Sequence, residues 1–199
     1  MSYCVPMAPD VSLRERKRRA IQDEVSQAAI DLFLTQGFDE TPVGQIAAKV
    51  GMSERTFFRY FATKDDVIDH VSDRWRRRVV LAFAERPADE PVWTALRRAF
   101  DDYIAETAAT GQSLPVMRVI YKTPALHGRH MARQFDWRAD LTEALLAREP
   151  QLDPFVALTV VGAAVGCFDA ARETWARSDG ARALDKLFDE AMAAVAAVG

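Results

Sequence analysis

Apolar residues recur at intervals of three and four along nearly the whole chain, the spacing of one face of an α-helix. The first stripe is Ile21, Val25, Ala28/Ala29, Leu32 and Phe33. It follows Ser12-Leu13-Arg14-Glu15, a capping box in which the serine hydroxyl accepts from the Glu15 amide and Glu15 reaches back. Gly37 is expected to end this helix in the left-handed conformation. Thr41-Pro42 predicts a second start, with threonine as cap and proline in the first helical position. That short helix, about Val43 to Val50, packs Ile46, Ala47 and Val50 inward and stops at Gly51. Ser53 caps a third short helix through Phe61. Thr63 with Asp66 caps a fourth, which carries Val67, Val71, Trp75 and Val79 at steps of four.

The helical pattern continues. One helix runs from near Pro91 to Gly111, a short one from about Leu114 to Lys122, and a long one from Thr123-Pro124 through Ala147. Another starts at Asp153-Pro154, is apolar almost all round as far as Phe168, and reaches Trp175. An Asp179-Gly180 turn leads to a last, alanine-rich helix, Ala181 to Val198. No segment alternates well enough for a strand. The prediction is an all-α fold of about nine helices, with residues 1–11 as a mobile tail, 12–64 as a small three-helix module and 65–199 as a larger helical domain.

Two of these helices call for further burial. The one from Phe155 to Trp175 needs partners on more than one face. The last one offers small side chains at Ala191, Ala194 and Ala197, beside Val195 and Val198. Gly162, Ala163 and Gly166 permit close crossing. Both are expected to pair with their symmetry mates in a four-helix, two-fold homodimer interface. The alternative is one core face and one face that covers a ligand.

Composition narrows the function classes. The 199 residues are 49% hydrophobic, with Trp 4 and Phe 11, enough for a sizeable core. The strongest apolar run, Phe155 to Phe168, is shorter than the ~20 residues of a bilayer span. No secretory signal pattern opens the chain, and Cys4 and Cys167 form no disulfide or metal spacing. A cytoplasmic protein with no membrane partner is expected. Glycine-rich phosphate loops, nucleophile elbows and zinc spacings are absent, so no enzyme, cofactor or metal is expected. His127 and His130 share a helix face, but only Asp136 and the distant Cys167 could complete a metal set. His70 stands alone and is expected to be exposed.

Charge adds a direction. The net charge is -3, yet Val11 to Lys64 carries +2 and the remainder -5. Arg16-Lys17-Arg18-Arg19 is either a solvated helix face or a local attraction for phosphate. Downstream, two short helices meet through Gly51-Met52-Ser53, the helix-turn-helix arrangement in outline, which an ordinary helical hairpin shares. The second of them presents Arg55, Thr56, Phe58, Arg59 and Tyr60. Such hydroxyls and guanidiniums bond phosphates, and arginine also pairs with guanine in the major groove.

The run from Arg16 to Val67 resembles the DNA-binding domain of the TetR family of bacterial regulators. The matching residues are Ala28-Ala29, Leu32-Phe33, Gly37-Phe38, Thr41, Ile46-Ala47, Val50-Gly51-Met52-Ser53, Thr56-Phe57-Phe58-Arg59-Tyr60-Phe61 and Lys64. The resemblance implies a homodimer whose C-terminal helical body holds an effector pocket and a four-helix interface. It implies a ligand-responsive regulator, a repressor on a palindromic double-stranded DNA operator. By position, Thr41, Thr56, Tyr60 and Lys64 would hold phosphates. Arg55 and Arg59 are candidates for base reading, Arg59 equally for a phosphate. Ser53 is a DNA contact or only a cap, and the cluster from Arg16 to Arg19 would reach a minor groove or backbone, or remain free. Phe58 stands where many members carry a phosphate-bonding tyrosine, so that contact is missing.

The larger domain carries Trp75, Trp93, Phe100, Tyr103, Tyr121, Phe135, Trp137, Phe168 and Trp175. These aromatics either line an effector pocket or fill a core. Arg118 with Lys122 and Arg129 with Arg133, each pair spaced four apart, flank the helix start at Thr123-Pro124, where an anion is favoured. They either hold an effector's anionic head or only solubilise the surface. The segment Thr123-Pro124-Ala125-Leu126 through Trp137, then Leu141 to Arg148 and Trp175, is similar to the C-terminal domain of a TetR subgroup associated with acyl-CoA-like ligands. That similarity implies an acyl-CoA-like small-molecule effector. The alternative is a DNA-binding regulator or architectural protein without one.

Overall fold

A computed structural model describes residues 12–111 and 113–198. The expected tail at 1–11, with Cys4, lies outside the described residues. Ten α-helices and no strand occupy the described part. The chain divides into two compact units, one ending at Val71 and one beginning at Ser72, where the sequence reading sets the division at 64/65.

The first unit holds α1 (Leu13–Gln36), α2 (Val43–Lys49), α3 (Glu54–Tyr60) and the start of α4 (Asp65–Ala84). Local capping fixes three of the four helix starts. Ser12 Oγ accepts from the Glu15 amide, and Ser53 Oγ from the Thr56 amide, both at 3.2 Å. The Thr63 amide donates to Asp66 Oδ2 at 2.9 Å, and the Asp66 amide returns a bond to Thr63 Oγ1 at 3.3 Å. Glu15 does not reach back to Ser12; its carboxylate pairs with Arg19 at 3.2 Å. Val25, Ala29 and Phe33 of α1, Ile46 and Ala47 of α2, Phe57 of α3, and Phe61 and Val67 make the core. Each such large side chain contributes about 1.5–3 kcal/mol when fully buried.

Two local expectations are corrected. Gly37 has φ 98° and ψ 156°, not the left-handed helical conformation but an extended, positive-φ one that only glycine adopts cheaply. Thr41 does not cap α2: Pro42 is the cap residue, with no side-chain bond. The Thr41 hydroxyl instead donates to the Gly37 carbonyl at 2.6 Å and is fully buried. A threonine hydroxyl can serve a carbonyl four residues back as readily as an amide ahead, and the end of α1 leaves carbonyls without partners.

The turn between α2 and α3 closes with a Schellman motif. The Met52 amide donates to the Ala47 carbonyl at 2.9 Å and the Gly51 amide to Ala48 at 3.1 Å, with Gly51 at φ 69°. This left-handed position suits glycine and sets the angle at which α3 leaves α2.

The second unit holds the rest of α4, then α5 (Val92–Arg98), α6 (Asp101–Thr110), α7 (Ser113–Lys122), α8 (Pro124–Arg148), α9 (Pro154–Arg177) and α10 (Leu184–Val198). The Asp153 carboxylate starts α9 by accepting from the Phe155 and Val156 amides. α9 packs on α5, α7, α8 and α10. By length and composition it is apolar enough to cross a membrane, yet it is the central helix of this unit. Its buried residues include Val161, Val165, Phe168 and Ala171, while Phe155, Val156 and Leu158 are exposed, as is Val195 on α10.

The single helix expected from Pro91 to Gly111 is two, parted at Ala99-Phe100. There the Phe100 amide bonds the Arg97 carbonyl in a tighter turn before regular bonding resumes at Ile104. The break turns Phe100 fully inward, against Trp137 at 5.7 Å, Phe168 at 4.2 Å and Phe188 at 5.3 Å between ring centroids.

Candidate nucleic-acid interface

α3 is anchored by Phe57, which is fully buried and meets Phe61 at 5.5 Å. Away from that anchor, Arg55, Phe58 and Arg59 are exposed. Their spacing of three and four puts them on one face of the helix. Ser53 Oγ caps α3 and lies 3.0 Å from Thr56 Oγ1, so the two hydroxyls sit together at the helix start.

Tyr60 closes the helix and is bracketed. Arg18 of α1 lies 5.6 Å from its ring centroid and Arg59 lies 5.2 Å from it. Arg59 Nη2 also donates to the Tyr60 hydroxyl at 3.4 Å. Gln22 Nε2 donates to the Tyr60 carbonyl at 3.3 Å. The sequence marks Arg18 only as one of four consecutive basic residues, and Gln22 not at all. Their spacing of four marks a shared face, but nothing local says which partner that face meets. Arg16 is exposed, and Arg19 is paired with Glu15.

The remaining two positions named for phosphates lie elsewhere. Thr41 is buried, as described. Lys64 Nζ donates to the Phe38 carbonyl at 2.6 Å, reaches Asp39 and Thr41 carbonyls at 3.4 Å, and lies 4.4 Å from the centroid of the Phe38 ring. Both residues therefore close the turn between α1 and α2. His70, expected to be alone and exposed, is neither. Its Nε2 is 2.8 Å from Asp23 Oδ1, its side chain is 12% exposed, and its ring stands edge-on to Phe61.

In the second unit, Phe100, Tyr103, Trp137 and Phe168 belong to one buried aromatic cluster. Trp75 is buried against Tyr103 at 4.8 Å with Arg78 over its ring, and Trp175 is buried. Trp93 is half-buried, its Nε1 donating to the Met192 carbonyl. Phe135 is 68% exposed, on the surface of α8.

Tyr121 belongs to a polar cluster joining α7, α8 and α9. Asp169 Oδ1 accepts from the Tyr121 hydroxyl at 3.3 Å, Gln134 Nε2 at 3.3 Å and Arg172 Nη2 at 3.2 Å, with His130 Nε2 at 3.2 Å. Burial, with the Arg172 charge added, holds the buried His130 below its ordinary proton affinity. Burial likewise pushes the Tyr121 phenol up. Burial alone would raise the Asp169 carboxyl, but the bond from His130 and the charge of Arg172 bring it below its usual value. His127 stacks edge-on to Tyr121, and no group of three metal-ligating side chains occurs among the described residues.

At the basic corner, Arg118 pairs with Asp179 at 2.6 Å, and Arg133 with Asp136 at 3.2 Å and Asp73 at 3.5 Å. Lys122 is exposed and Arg129 half-buried. Thr123 precedes α8 without a side-chain cap bond.

Residues 26–71 match the family described as bacterial regulatory proteins, tetR family, and residues 90–198 match the MftR C-terminal domain. The chain is 32% identical to the HTH-type transcriptional regulator TcmR of Streptomyces glaucescens over 69% of its own length and 64% of that protein's, so it spans just under two thirds of that relative. It is 29% identical to the regulator MftR of Mycobacterium tuberculosis over 86% of this chain and 87% of that one. Its fold is similar to that of Thermus thermophilus FadR, a repressor solved with lauroyl-CoA: TM-score 0.57 and 22% identity, covering 86% of this chain and 91% of that one. With one family match over the helix-turn-helix and another over the larger helical part, the chain belongs to the TetR family of bacterial transcriptional regulators.

Proposed function

We propose that the chain is a homodimeric repressor that grips a pseudo-palindromic operator through α3 and releases it when an apolar, acyl-CoA-like effector binds the second unit. The observation that carries the DNA reading is the exposed Arg55, Phe58 and Arg59 face, held by buried Phe57 beneath and bracketed Tyr60 at its end. Arg55 and Arg59 read bases. Thr56, Tyr60 and Ser53 hold backbone phosphates, with Arg16 and Arg19 attracting the duplex nearby. Thr41 and Lys64 act by shaping the turn that leads into α2. The exposed apolar residues of α9 and α10 suit a second copy of the chain, and a two-fold dimer suits half-sites one helical turn apart, ~34–36 Å. For the effector, support comes from the aromatic content of the second unit and from the likeness to a FadR solved with lauroyl-CoA.

The test starts from an operator selected out of a random duplex library by the full-length protein. Arg59→Ala should relax preference at one position by roughly 1–3 kcal/mol if its contact is bidentate, whereas Tyr60→Phe should weaken all sequences alike. An unchanged ranking of operator variants in Arg59→Ala would overturn base reading by that residue. Operator release is then titrated with acyl-CoAs of increasing chain length beside the free fatty acids. Release by neither leaves a regulator without this effector. Equal release by acid and thioester removes the basic corner from the site.

A further inference from the structure

We infer that Phe58 reads sequence: its ring packs on the methyl group of a thymine in each operator half-site. The inference rests on the proposal that α3 enters the major groove. Phe58 lies between Arg55 and Arg59 on the exposed face and is itself 50% exposed, whereas its neighbour Phe57 is fully buried. It is not a spare core residue. Its ring stands perpendicular to that of Phe57, 5.6 Å between centroids, so it rests against a fully buried partner. A phenyl ring has no hydrogen to give a phosphate and no acceptor for a base amine. On the edges of the base pairs in the major groove, the thymine C5-methyl is the apolar group such a ring can meet, and phenylalanine is one of the side chains suited to it. A helix face of guanidinium, phenyl and guanidinium therefore reads a guanine or phosphate on either side of a thymine.

The selected operator allows a test that removes the methyl and nothing else. Each thymine is replaced in turn by deoxyuridine, and binding of the full-length protein is followed by fluorescence anisotropy. One thymine per half-site should be sensitive. Losing a buried methyl should weaken binding about fourfold in one half-site and roughly sixteenfold in both. Phe58→Ala should bind the uridine and thymine operators equally, and Phe58→Leu should keep part of the difference. Thermal unfolding of both variants should match the parent, because the ring is half in solvent. The inference is overturned if no replacement costs more than twofold, if the recovered operator lacks thymine, or if Phe58→Ala keeps the full thymine preference. A selection that recovers no preferred sequence overturns DNA reading by α3 and this inference together. A preferred sequence without the methyl effect overturns this inference alone.

Discussion

The ammonium group of Lys64 sits 2.6 Å from the carbonyl oxygen of Phe38 and 4.4 Å from the centroid of that residue's ring. A lysine that family resemblance assigns to a phosphate is thus also a strut inside the first unit. The two roles leave different marks on a variant.

Lys64→Met should lower the stability of the DNA-free protein by about 2–4 kcal/mol, the summed scale of one charged hydrogen bond and a partly exposed cation–π contact. Denaturant unfolding followed by circular dichroism measures this. A phosphate contact would show separately, as a drop of about one in the slope of log affinity against log salt. Unaltered unfolding with a reduced slope would assign Lys64 to DNA and remove the strut.

The polar cluster around Asp169 makes stability depend on pH in a stated direction. Burial lowers the proton affinity of His130 in the folded chain, below the ordinary value of 6.5. As pH falls past that value, the unfolded chain takes up the proton first. Stability is therefore full above about pH 6.5 and declines below it, by at most ~1.4 kcal/mol per pH unit for this one proton. His130→Gln removes the titration and keeps hydrogen-bonding capacity. Its unfolding free energy should fall less between neutral and mildly acid solution than the parent's, and equal slopes would place the acid sensitivity on other groups.

Gly166 tests the homodimer. It is exposed on α9, and a Cβ added there meets nothing within 4 Å. Gly166→Gln should leave the single chain folded while placing a long side chain in the proposed seam between copies. Light scattering should report the parent as a dimer and the variant as a monomer. A variant that remains fully dimeric would move the seam away from this face.

Legibility in the sequence followed distance along the chain. Ser12, Ser53 and the Thr63–Asp66 pair declared their helix starts because each partner is three residues away. Gly51 declared the turn because left-handed backbone favours glycine. The break at Phe100 left no sign, since it serves a ring packed against residues far away in the chain and no glycine or proline marks it. Thr41 was misread because its hydroxyl can turn toward either neighbour. His70 with Asp23, Lys64 with Phe38, and Tyr60 with Arg18 and Gln22 meet only after α1 folds back on the later helices. The exposed side of α3 was readable from spacing alone; the network that holds Tyr60 was not.

The way the two units divide their aromatic residues has an optical consequence. The first unit builds its core on phenylalanine rings, Phe33, Phe38, Phe57 and Phe61, while Trp75, Trp93, Trp137 and Trp175 all lie beyond Ser72. Excited where only indoles absorb, the protein emits from the C-terminal unit alone. Melting of the helix-turn-helix leaves no indole signal of its own, and an emission curve that lags behind circular dichroism would time the two halves separately without any added label.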